Sequence, residues 1–229
     1  MEKFKKILFI VYHDLHHNAR SQEILQMAEM LAENVFLLSQ SKPTFKTNAI
    51  CYVCKKSKTS YFKFLVMGKR LIRKIKPDCV VLHDNYTAPL LKYIVDNRIR
   101  IPIIYDSSEL YIDRVLPNKM QLMIHNYMES AEINYLKYAL VSIAANQERA
   151  EIMTKKMQLK RPTIVFNNMH RIDDMISYEE CRKKFDSVIR KGKINILYAG
   201  GISQTRRTYE LADAVTSLGE DYHLLIAGA

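Results

Sequence analysis

The stretch INILYAGGISQTRR, residues 194–207, decides how the rest of the chain is interpreted. Its apolar first half predicts a buried strand, which runs directly into the glycine pair Gly200 and Gly201. Arg206 and Arg207 follow where a helix is expected to begin. Glycine lets the backbone approach a phosphate, a helix start presents free N–H groups, and arginine binds phosphate oxygens in pairs. The stretch therefore predicts an anion site made of a strand, a glycine turn and a helix start.

The residues before this stretch alternate between short apolar runs and amphipathic segments. Continuous runs of Val, Ile and Leu separated by helices predict a parallel sheet that is covered on both faces. The predicted strands are 5–11, 35–38, 49–53, 79–82, 101–105, 140–144 and 163–166, and the predicted helices are 21–33, 61–75, 87–96, 119–138 and 147–157. This alternation predicts an α/β protein whose first part is a doubly wound parallel sheet.

The predicted organisation has three parts. A doubly wound domain covers residues 1–168, a connector covers 169–193, and the first β-α-β of a second α/β domain covers 194–229. A sheet of about two strands leaves its faces and an edge uncovered, so the second domain is expected to be incomplete. The chain is then either a fragment of a longer one or the product of a truncated gene.

The composition is that of an ordinary folded protein. Hydrophobic residues make up 48% and charged residues 26% of the 229 residues. No apolar run approaches the roughly 18 residues of a spanning helix, which predicts a cytoplasmic protein. The four cysteines are too few for a disulfide framework, and Cys51 and Cys54 have no second pair to complete a zinc site. Buried thiols are therefore expected.

The charge is strongly positive and unevenly distributed. The formal net charge is +11, and the segment Lys55–Lys76 carries nine basic residues and no acidic one. One interpretation is a helix that faces the core and exposes a solvated basic side. The alternative is a basic amphipathic helix that docks on anionic lipid at the inner face of the cell membrane. RNA binding is a poorer third interpretation because no aromatic platform accompanies the charge, and no nucleic-acid partner is predicted.

Polar residues follow several predicted strands, at the edge where open parallel sheets bind ligands. We select these as candidates for one cleft: His13, Arg20, His83, Asp84, Asp106, Glu109 and Asn167. Each also has a structural interpretation. Asp84 and Asp106 would cap the helices that follow them, and Arg20 would pair with a carboxylate near a helix start.

Several classes of protein are disfavoured by the motifs that the sequence lacks. The first strand is not followed by G-x-G-x-x-G, which argues against a dehydrogenase, and neither a G-x-S-x-G elbow nor a Walker lysine loop occurs. His13, His16 and His17 offer metal ligands, but no carboxylate or cysteine spacing supports them. Solvated loop histidines are the preferred interpretation, so neither a metal nor a cofactor is predicted.

Four motifs in order resemble a known family. They are HD at 83–84, YDSSEL at 105–110, Asn167 after a strand, and ILYAGGISQTRR at 196–207. This order is similar to that of GT-B glycosyltransferases of the family-4-like, capsule and lipopolysaccharide type. The resemblance implies a Rossmann-like acceptor domain and a second domain that holds a nucleotide-diphosphate-sugar, with the reaction in the cleft between them. It also implies transfer that retains the anomeric configuration.

The resemblance assigns roles to individual residues. It implies that Gly200 and Gly201 face the donor diphosphate and that Arg206 stabilises the leaving phosphate. Asp106 with Glu109 resembles the family's D-x-H-E sequence, and His83 joins these two as a candidate catalytic residue. His13, Arg20, Asp84 and Asn167 are the candidates for the acceptor side of the cleft.

The sequence also departs from the family pattern. Ser108 stands where the family has histidine, and Arg207 stands where glycine usually follows the phosphate-binding cation. The family's donor-binding E-x-x-x-x-x-x-x-E segment falls beyond residue 229. We therefore expect a glycosyltransferase that transfers a sugar to a saccharide or lipid-linked acceptor in surface-polysaccharide assembly. The alternatives are an inactive fragment with at most a binding role, and a peripheral membrane module.

Overall fold

The computed structural model describes residues 3–15, 18–57, 59–109, 119–167 and 177–228. The chain forms two compact units, Met1–Met169 and His170–Ala229. His16 and His17, which the sequence offered as metal ligands, lie outside the described residues.

The first unit is built on one parallel sheet. Its strands are β1 (Phe4–Val11), β2 (Ala32–Ser39), β3 (Ile50–Val53), β4 (Cys79–His83), β5 (Ile103–Ser107), β6 (Val141–Ala144) and β7 (Ile164–Val165). They form a 7-stranded sheet in the order β3-β2-β1-β4-β5-β6-β7, and all neighbours are parallel. The order reverses at β1, between β2 and β4, which is where doubly wound sheets open a ligand crevice.

Helices connect these strands. They are α1 (Ala19–Leu31), α2 (Ser60–Ile75), α3 (Ala88–Asp96), α4 (Lys119–Tyr135) and α5 (Gln147–Lys156), with single 3₁₀ turns at Asn85–Thr87 and Leu136–Tyr138. The middle of β1 shows why the sheet is covered on both faces. Leu8 and Ile10 pack into one apolar core and Ile7 and Phe9 into the other, because successive strand side chains point to opposite faces. The predicted fold class, an α/β doubly wound parallel sheet, is confirmed.

Two boundaries differ from the sequence prediction in ways that matter for the site. The helix predicted to reach residue 33 ends at Leu31, because Ala32 is extended and pairs with Phe4 in the sheet. The strand predicted to end at residue 105 extends to Ser107, since Asp106 pairs in register with His83 of β4. Strand pairing thus overrides the local preferences of short polar residues. As a result Asp106 lies on the strand itself.

The second unit contains one helix followed by a short β-α-β. Its elements are α6 (Tyr178–Phe185), β8 (Ile194–Ala199), α7 (Thr208–Ser217) and β9 (Tyr222–Ala227), with a 3₁₀ turn at Gln204–Arg206. A capping box between Ser177 and Glu180 starts α6. Strands β8 and β9 form a parallel 2-stranded sheet. Among the residues that the structure describes, no helix is long and apolar enough to cross a membrane.

Candidate functional site

The carboxyl ends of β1, β4 and β5 meet at one edge of the sheet, which we call the carboxyl edge. Val11 pairs with His83, and His83 pairs with Asp106. Because the three strands are parallel neighbours, the polar residues at and after their ends converge there. The register thus brings together side chains that are far apart in the sequence.

A buried ion-pair network forms the floor of this edge. Arg20 Nε donates to Asp106 Oδ1 and Oδ2 at 3.0 and 2.9 Å, and Arg20 also donates to the carbonyl of Phe166. His83 Nδ1 lies 2.6 Å from Asp106 Oδ2. All three charged residues are buried. The Asp106 carboxylate therefore lies between two cationic groups, which offsets the cost of burying its charge.

The second ring nitrogen of His83 faces another carboxylate. His83 Nε2 lies 3.3 Å from Asp84 Oδ2 and 3.1 Å from Ser21 Oγ. Burial alone would lower the pKa of His83, but Asp84 and Asp106 outweigh it and raise that pKa to about 9. Burial likewise opposes ionisation of Asp84, yet the charge of His83 and the hydrogen bonds from Ser108 lower the pKa of Asp84 to about 2. At neutral pH the network consists of charged, paired groups.

Asp84 holds an unusual backbone conformation. Its φ of 60° and ψ of 168° fall in a region that is essentially reserved for glycine. Its carboxylate accepts from the Ser108 backbone N–H at 2.8 Å and from Ser108 Oγ at 2.8 Å. Asp84 makes no side-chain capping bond to the following turn, so the capping interpretation of this residue is wrong. Ser108, the departure from the family pattern, is thus a direct partner of a strained residue.

A cavity of about 610 Å³ opens above this network. The residues that line it are Tyr12, His13, Asp14, Asn18, Arg20, Gln40, Lys56, Asp84, Tyr86, Ser108 and Glu109. Among the predicted site residues, His83 and Asp106 have no exposed side-chain surface and lie beneath the cavity. Asn167 is exposed and follows Phe166, whose carbonyl accepts from Arg20. The structure thus divides the candidates into a lining and a supporting layer.

His13 is a neutral histidine of the lining. Its Nε2 lies 2.7 Å from Ser21 Oγ, and the rings of His13 and His83 are 4.9 Å apart. Burial and the nearby positive charge of His83 lower the pKa of His13 to about 4. At neutral pH His13 is therefore an uncharged imidazole beside a charged one, with a lone pair available on one ring nitrogen.

Aromatic rings form one wall of the cavity. Tyr12 and Tyr86 have ring centroids 5.4 Å apart, and Tyr12 also packs edge-on against Tyr61 at 5.2 Å. Sequence reasoning missed both Tyr12 and Tyr86, although each follows the end of a predicted strand. Their position after a strand was the available signal.

Arg149 holds the loop that carries Ser108 and Glu109. Its guanidinium donates to the carbonyl of Ser108 and lies 3.1 Å from Glu109 Oε2. This residue was also missed, because it lies in the first turn of α5 and no nearby motif in the sequence marks it. Glu109, whose side chain is 56% exposed, is the acidic candidate that solvent reaches.

The donor atoms of His13, His83 and Asp84 lie within 4.8 Å of one another, a spacing that a metal ion would accept. His83, however, is held as a cation between two carboxylates, and a protonated imidazole has no lone pair for a metal. Ser21 Oγ also lies within hydrogen-bond distance of both histidines. This arrangement suits a shared proton network better than a metal.

The second unit contains the glycine turn at Gly200 and Gly201. Ser203 accepts from the backbone N–H of Arg206 at 3.3 Å and so starts the 3₁₀ turn. Arg206 is exposed. Arg207 has a φ of 53°, the left-handed conformation that glycine adopts more readily, at the start of α7. The resembled family usually has glycine at this position, and glycine suits this conformation. Here Arg207 adopts the same conformation.

Comparisons with known proteins identify the fold. No family model and no curated protein matches the chain. Among solved structures, sucrose-phosphate synthase from Thermosynechococcus elongatus superposes with a TM-score of 0.64 at 11% identity, over 98% of this chain and 62% of that one. HepE from Anabaena, in complex with UDP and glucose, gives 0.62 at 13%, over 97% and 60%. The chain has the fold of Rossmann-like GT-B domains.

A third similar structure is UDP-GlcNAc 2-epimerase from Neisseria meningitidis bound to UDP-GlcNAc, with a TM-score of 0.55 at 10% identity over 96% of this chain and 65% of that one. The chain spans about three fifths of the length of these solved structures. The GT-B prediction is confirmed at the level of fold. The assignment to a family-4-like, capsule or lipopolysaccharide type, and the roles given to single residues, stay predictions.

Proposed function

We propose that this chain takes part in the transfer of a sugar from a nucleotide-diphosphate-sugar to a hydroxyl of a saccharide or lipid-linked acceptor. The observation that carries the proposal is the cavity at the carboxyl edge of the first unit. It combines hydrogen-bonding side chains with tyrosine rings above a network whose charges are paired. Sugars present many hydroxyls and apolar ring faces, which such a lining fits.

The charge balance of the cavity supports a hydroxyl-rich acceptor group. Arg20 and Asp84 are paired within the buried network, and Glu109 is paired with Arg149. Lys56 and Asp14 are the remaining charged residues of the lining, and they have opposite signs. A lining of this kind favours a neutral group that donates and accepts hydrogen bonds over a highly charged one.

The donor is assigned to the glycine turn of the second unit. Gly200 and Gly201 precede a helix start, and Arg206 is exposed in the turn between them. A diphosphate would be bound there by backbone N–H groups, the positive end of α7 and the guanidinium. Two of the three solved structures named above contain UDP or a UDP-sugar, which supports a nucleotide-diphosphate-sugar as donor.

In the proposed reaction the bond between the sugar anomeric carbon and the diphosphate oxygen breaks, and a bond from that carbon to the acceptor oxygen forms. The acceptor hydroxyl loses its proton, and the diphosphate leaves with the bonding electron pair. Arg206 and the start of α7 stabilise the charge on the diphosphate. His13, neutral at pH 7, and the exposed Glu109 are two groups of the cavity that can take the proton.

The support beneath these groups has a separate role. His83 and Asp106 are closed off from the cavity, so they position Arg20 and Asp84 instead of touching a substrate. We further propose that no metal is required, because the leaving charge is met by Arg206 and a helix start. Activity that survives full chelation with EDTA would support this, and activity lost on chelation and restored by one divalent cation would contradict it.

Binding and turnover test the proposal. The chain is titrated with a panel of nucleotide-diphosphate-sugars by calorimetry, and each is incubated with simple saccharide acceptors while release of nucleoside diphosphate is followed. Arg206→Ala should weaken binding of the preferred donor about tenfold or more, since a charge-assisted contact to phosphate is lost. Arg182→Ala removes another exposed arginine, from α6, which lies outside the glycine turn, and should leave binding unchanged.

Several outcomes would overturn the assignment. No affinity for any donor in the panel, together with no effect of Arg206→Ala, would remove it. Epimerisation of the sugar without transfer would replace it with an isomerase function. Retention of the anomeric configuration, which the resemblance implies, is read from the coupling constant of the product anomeric proton, and an inverted product would contradict that part.

The biological setting follows from the same resemblance. We propose surface-polysaccharide assembly of the capsule or lipopolysaccharide type, with the basic segment Lys55–Lys76 against an anionic membrane surface. Each cation near such a surface adds roughly 1 kcal/mol of attraction. Binding to vesicles of anionic phospholipid should therefore weaken steeply between low and physiological salt. Absence of binding at low salt would remove the membrane from the proposal.

A further inference from the structure

The start of α2 lies at the carboxyl edge, beside the cavity. Ser60, its first residue, is hydrogen-bonded through Oγ to Tyr12 of the cavity wall at 2.7 Å. At the other end of α2, the carbonyl of Ile75 accepts from Lys6 Nζ at 3.3 Å, near the beginning of β1. The helix therefore runs from the carboxyl edge to the opposite, amino edge of the sheet.

The start of α4 lies at the same carboxyl edge. Its last turn leads through the 3₁₀ turn 136–138 to Leu140, whose N–H donates to the carbonyl of Ile103 at 2.8 Å. Ile103 is the first residue of β5 and marks the amino edge. Since the end of α4 is at the amino edge, its first turns must lie at the carboxyl edge. Both helices also contact the 3₁₀ turn 85–87, which follows β4 at the carboxyl edge: the hydroxyl of Tyr61 of α2 donates to the carbonyl of Tyr86 at 3.2 Å, and α4 packs against the same turn.

Both helix starts expose large apolar side chains. Phe62 is 57% and Val66 is 66% exposed on α2, while Met120 is 60%, Met123 is 67% and Tyr127 is 46% exposed on α4. Residues 120, 123 and 127 follow helical spacing and so form one stripe, as do Phe62 and Val66. We call these five residues the apolar wedge. Exposing such large apolar side chains to water does not stabilise a monomer, so a group of them on the surface marks an interaction site.

Cations flank the part of the wedge that belongs to α2. Lys63 and Arg70 are exposed on the same side of α2, with Arg70 one further turn along the stripe that begins at Phe62. Lys55 and Lys56 are exposed immediately before the helix, and the segment from Lys55 to Lys76 contains no acidic residue. Lysine is depleted at protein interfaces, whereas Lys and Arg beside Phe and other apolar groups are typical of surfaces that lie on anionic bilayers.

We propose that the apolar wedge inserts into the surface of an anionic phospholipid bilayer, with the cations of α2 against the headgroup phosphates. Such insertion goes beyond electrostatic attraction, because it places the start of α4 within the bilayer surface and fixes the orientation of the first unit. The cavity opens at the same edge as the wedge, and Lys56 belongs to both surroundings. This inference rests on the proposed transfer function. In this orientation the acceptor is lipid-linked, and its sugar reaches the cavity at the bilayer surface.

The sequence offers a direct probe, because it contains no tryptophan. Met123→Trp introduces a single tryptophan into the wedge. Met30→Trp is the matched control, since Met30 is 72% exposed at the end of α1, next to the start of β2 at the amino edge. Both variants are mixed with vesicles of phosphatidylglycerol and phosphatidylcholine that carry bromines at known acyl depths.

With anionic vesicles, the emission of Met123→Trp should shift to shorter wavelength and be quenched by shallow bromines, whereas Met30→Trp should show neither change. Pure phosphatidylcholine should give little of either effect, because the cations supply the initial attraction. Equal quenching of both tryptophans would mean unoriented adsorption and would overturn the proposal. So would vesicle binding without quenching of Met123→Trp, which would indicate electrostatic contact alone.

A second variant keeps the test independent of the reporter. Replacing Met120 and Met123 together by glutamine should lower partitioning onto anionic vesicles about tenfold or more, while Met30→Gln should leave it unchanged. Nucleotide-sugar binding should be the same in all three proteins, because the glycine turn is untouched. Loss of vesicle binding with donor binding intact would thus concern the wedge, and lack of donor binding in every protein would concern the proposed function. Unchanged partitioning of the double variant would overturn the wedge.

Discussion

Replacing Glu132 by glutamine should stabilise the first unit at neutral pH. Glu132 of α4 is 1% exposed, and its Oε1 accepts from the hydroxyl of Tyr105 at 2.7 Å. Burial raises the pKa of Glu132 from 4.5 to about 8, while the bond from Tyr105 only partly offsets this. A buried carboxyl that must remain protonated costs stability at every pH at which the unfolded chain would ionise it.

The magnitude follows from the two pKa values. Because the pKa of Glu132 is raised in the folded chain, the stability that its bound proton provides is complete below pH 4.5. That stability is lost as the pH rises through 8. At pH 7 the Glu132 side chain is ionised in the unfolded chain and largely protonated in the folded one. Keeping it protonated well above its unfolded pKa of 4.5 costs about 3 kcal/mol, since each pH unit corresponds to about 1.36 kcal/mol. Glutamine keeps the acceptor for Tyr105 and has no proton to bind. The gain should therefore be about 3 kcal/mol at pH 7 and close to zero at pH 4.

Urea unfolding followed by far-UV circular dichroism at pH 4, 5.5, 7 and 8 measures this difference. The control is Glu151→Gln, which neutralises an exposed carboxylate on α5 and should change stability by less than about 0.5 kcal/mol at any of these pH values. A Glu132→Gln protein that is less stable than the parent at pH 7 would refute the reasoning. So would a stability difference that does not grow between pH 4 and pH 7, because it would show that Glu132 is ionised in the folded chain.

Three further predictions concern the network beneath the cavity and the packing of α2 against α3. Arg20→Met should cost about 3–5 kcal/mol in urea unfolding, because it leaves the Asp106 carboxylate short of one of its two buried cations. His83→Gln should remove the loss of stability that the parent shows as the pH rises from 6.5 towards 9, since the folded pKa of His83 is raised and its proton is favoured in the folded state. Gly68→Ala should destabilise by about 1–3 kcal/mol, because a Cβ on Gly68 would lie 2.6 Å from Leu90 Cδ1, and adding Leu90→Ala should lessen the effect of the alanine at 68 in a double-mutant cycle.

The fold could be predicted from the sequence because its strands are long apolar runs. Residues 7–11 and 79–82 are buried on both faces, and such continuous runs are typical of parallel sheets. The boundaries were less predictable where a strand continues into polar residues. Asp106 and Ser107 have low strand propensity, yet they extend β5 because His83 on the neighbouring strand pairs with Asp106. That pairing is a property of two strands and cannot be read from either one.

The site was predictable only in part, for a related reason. The position after a strand identified His13, Arg20, Asp84 and Glu109, which line the cavity. It did not separate them from Asp106, which is buried beneath, because depth depends on packing across the sheet. The partners of these residues come from helices, as with Ser21 and Arg149, and their roles depend on where a helix turns its side chains.

Two of the local costs in the first unit fall near β4 and β5. Asp84 carries a backbone strain that the hydrogen bonds from Ser108 oppose, and Glu132 carries a burial cost beneath Tyr105, the neighbour of Asp106. Strain and buried polar groups of this kind are retained where a precise arrangement of side chains matters more than stability. Since the charges below the cavity are already paired, a ligand need not bring counter-charges with it. The arrangement thus fits a site in the first unit whose geometry is set before an uncharged ligand enters.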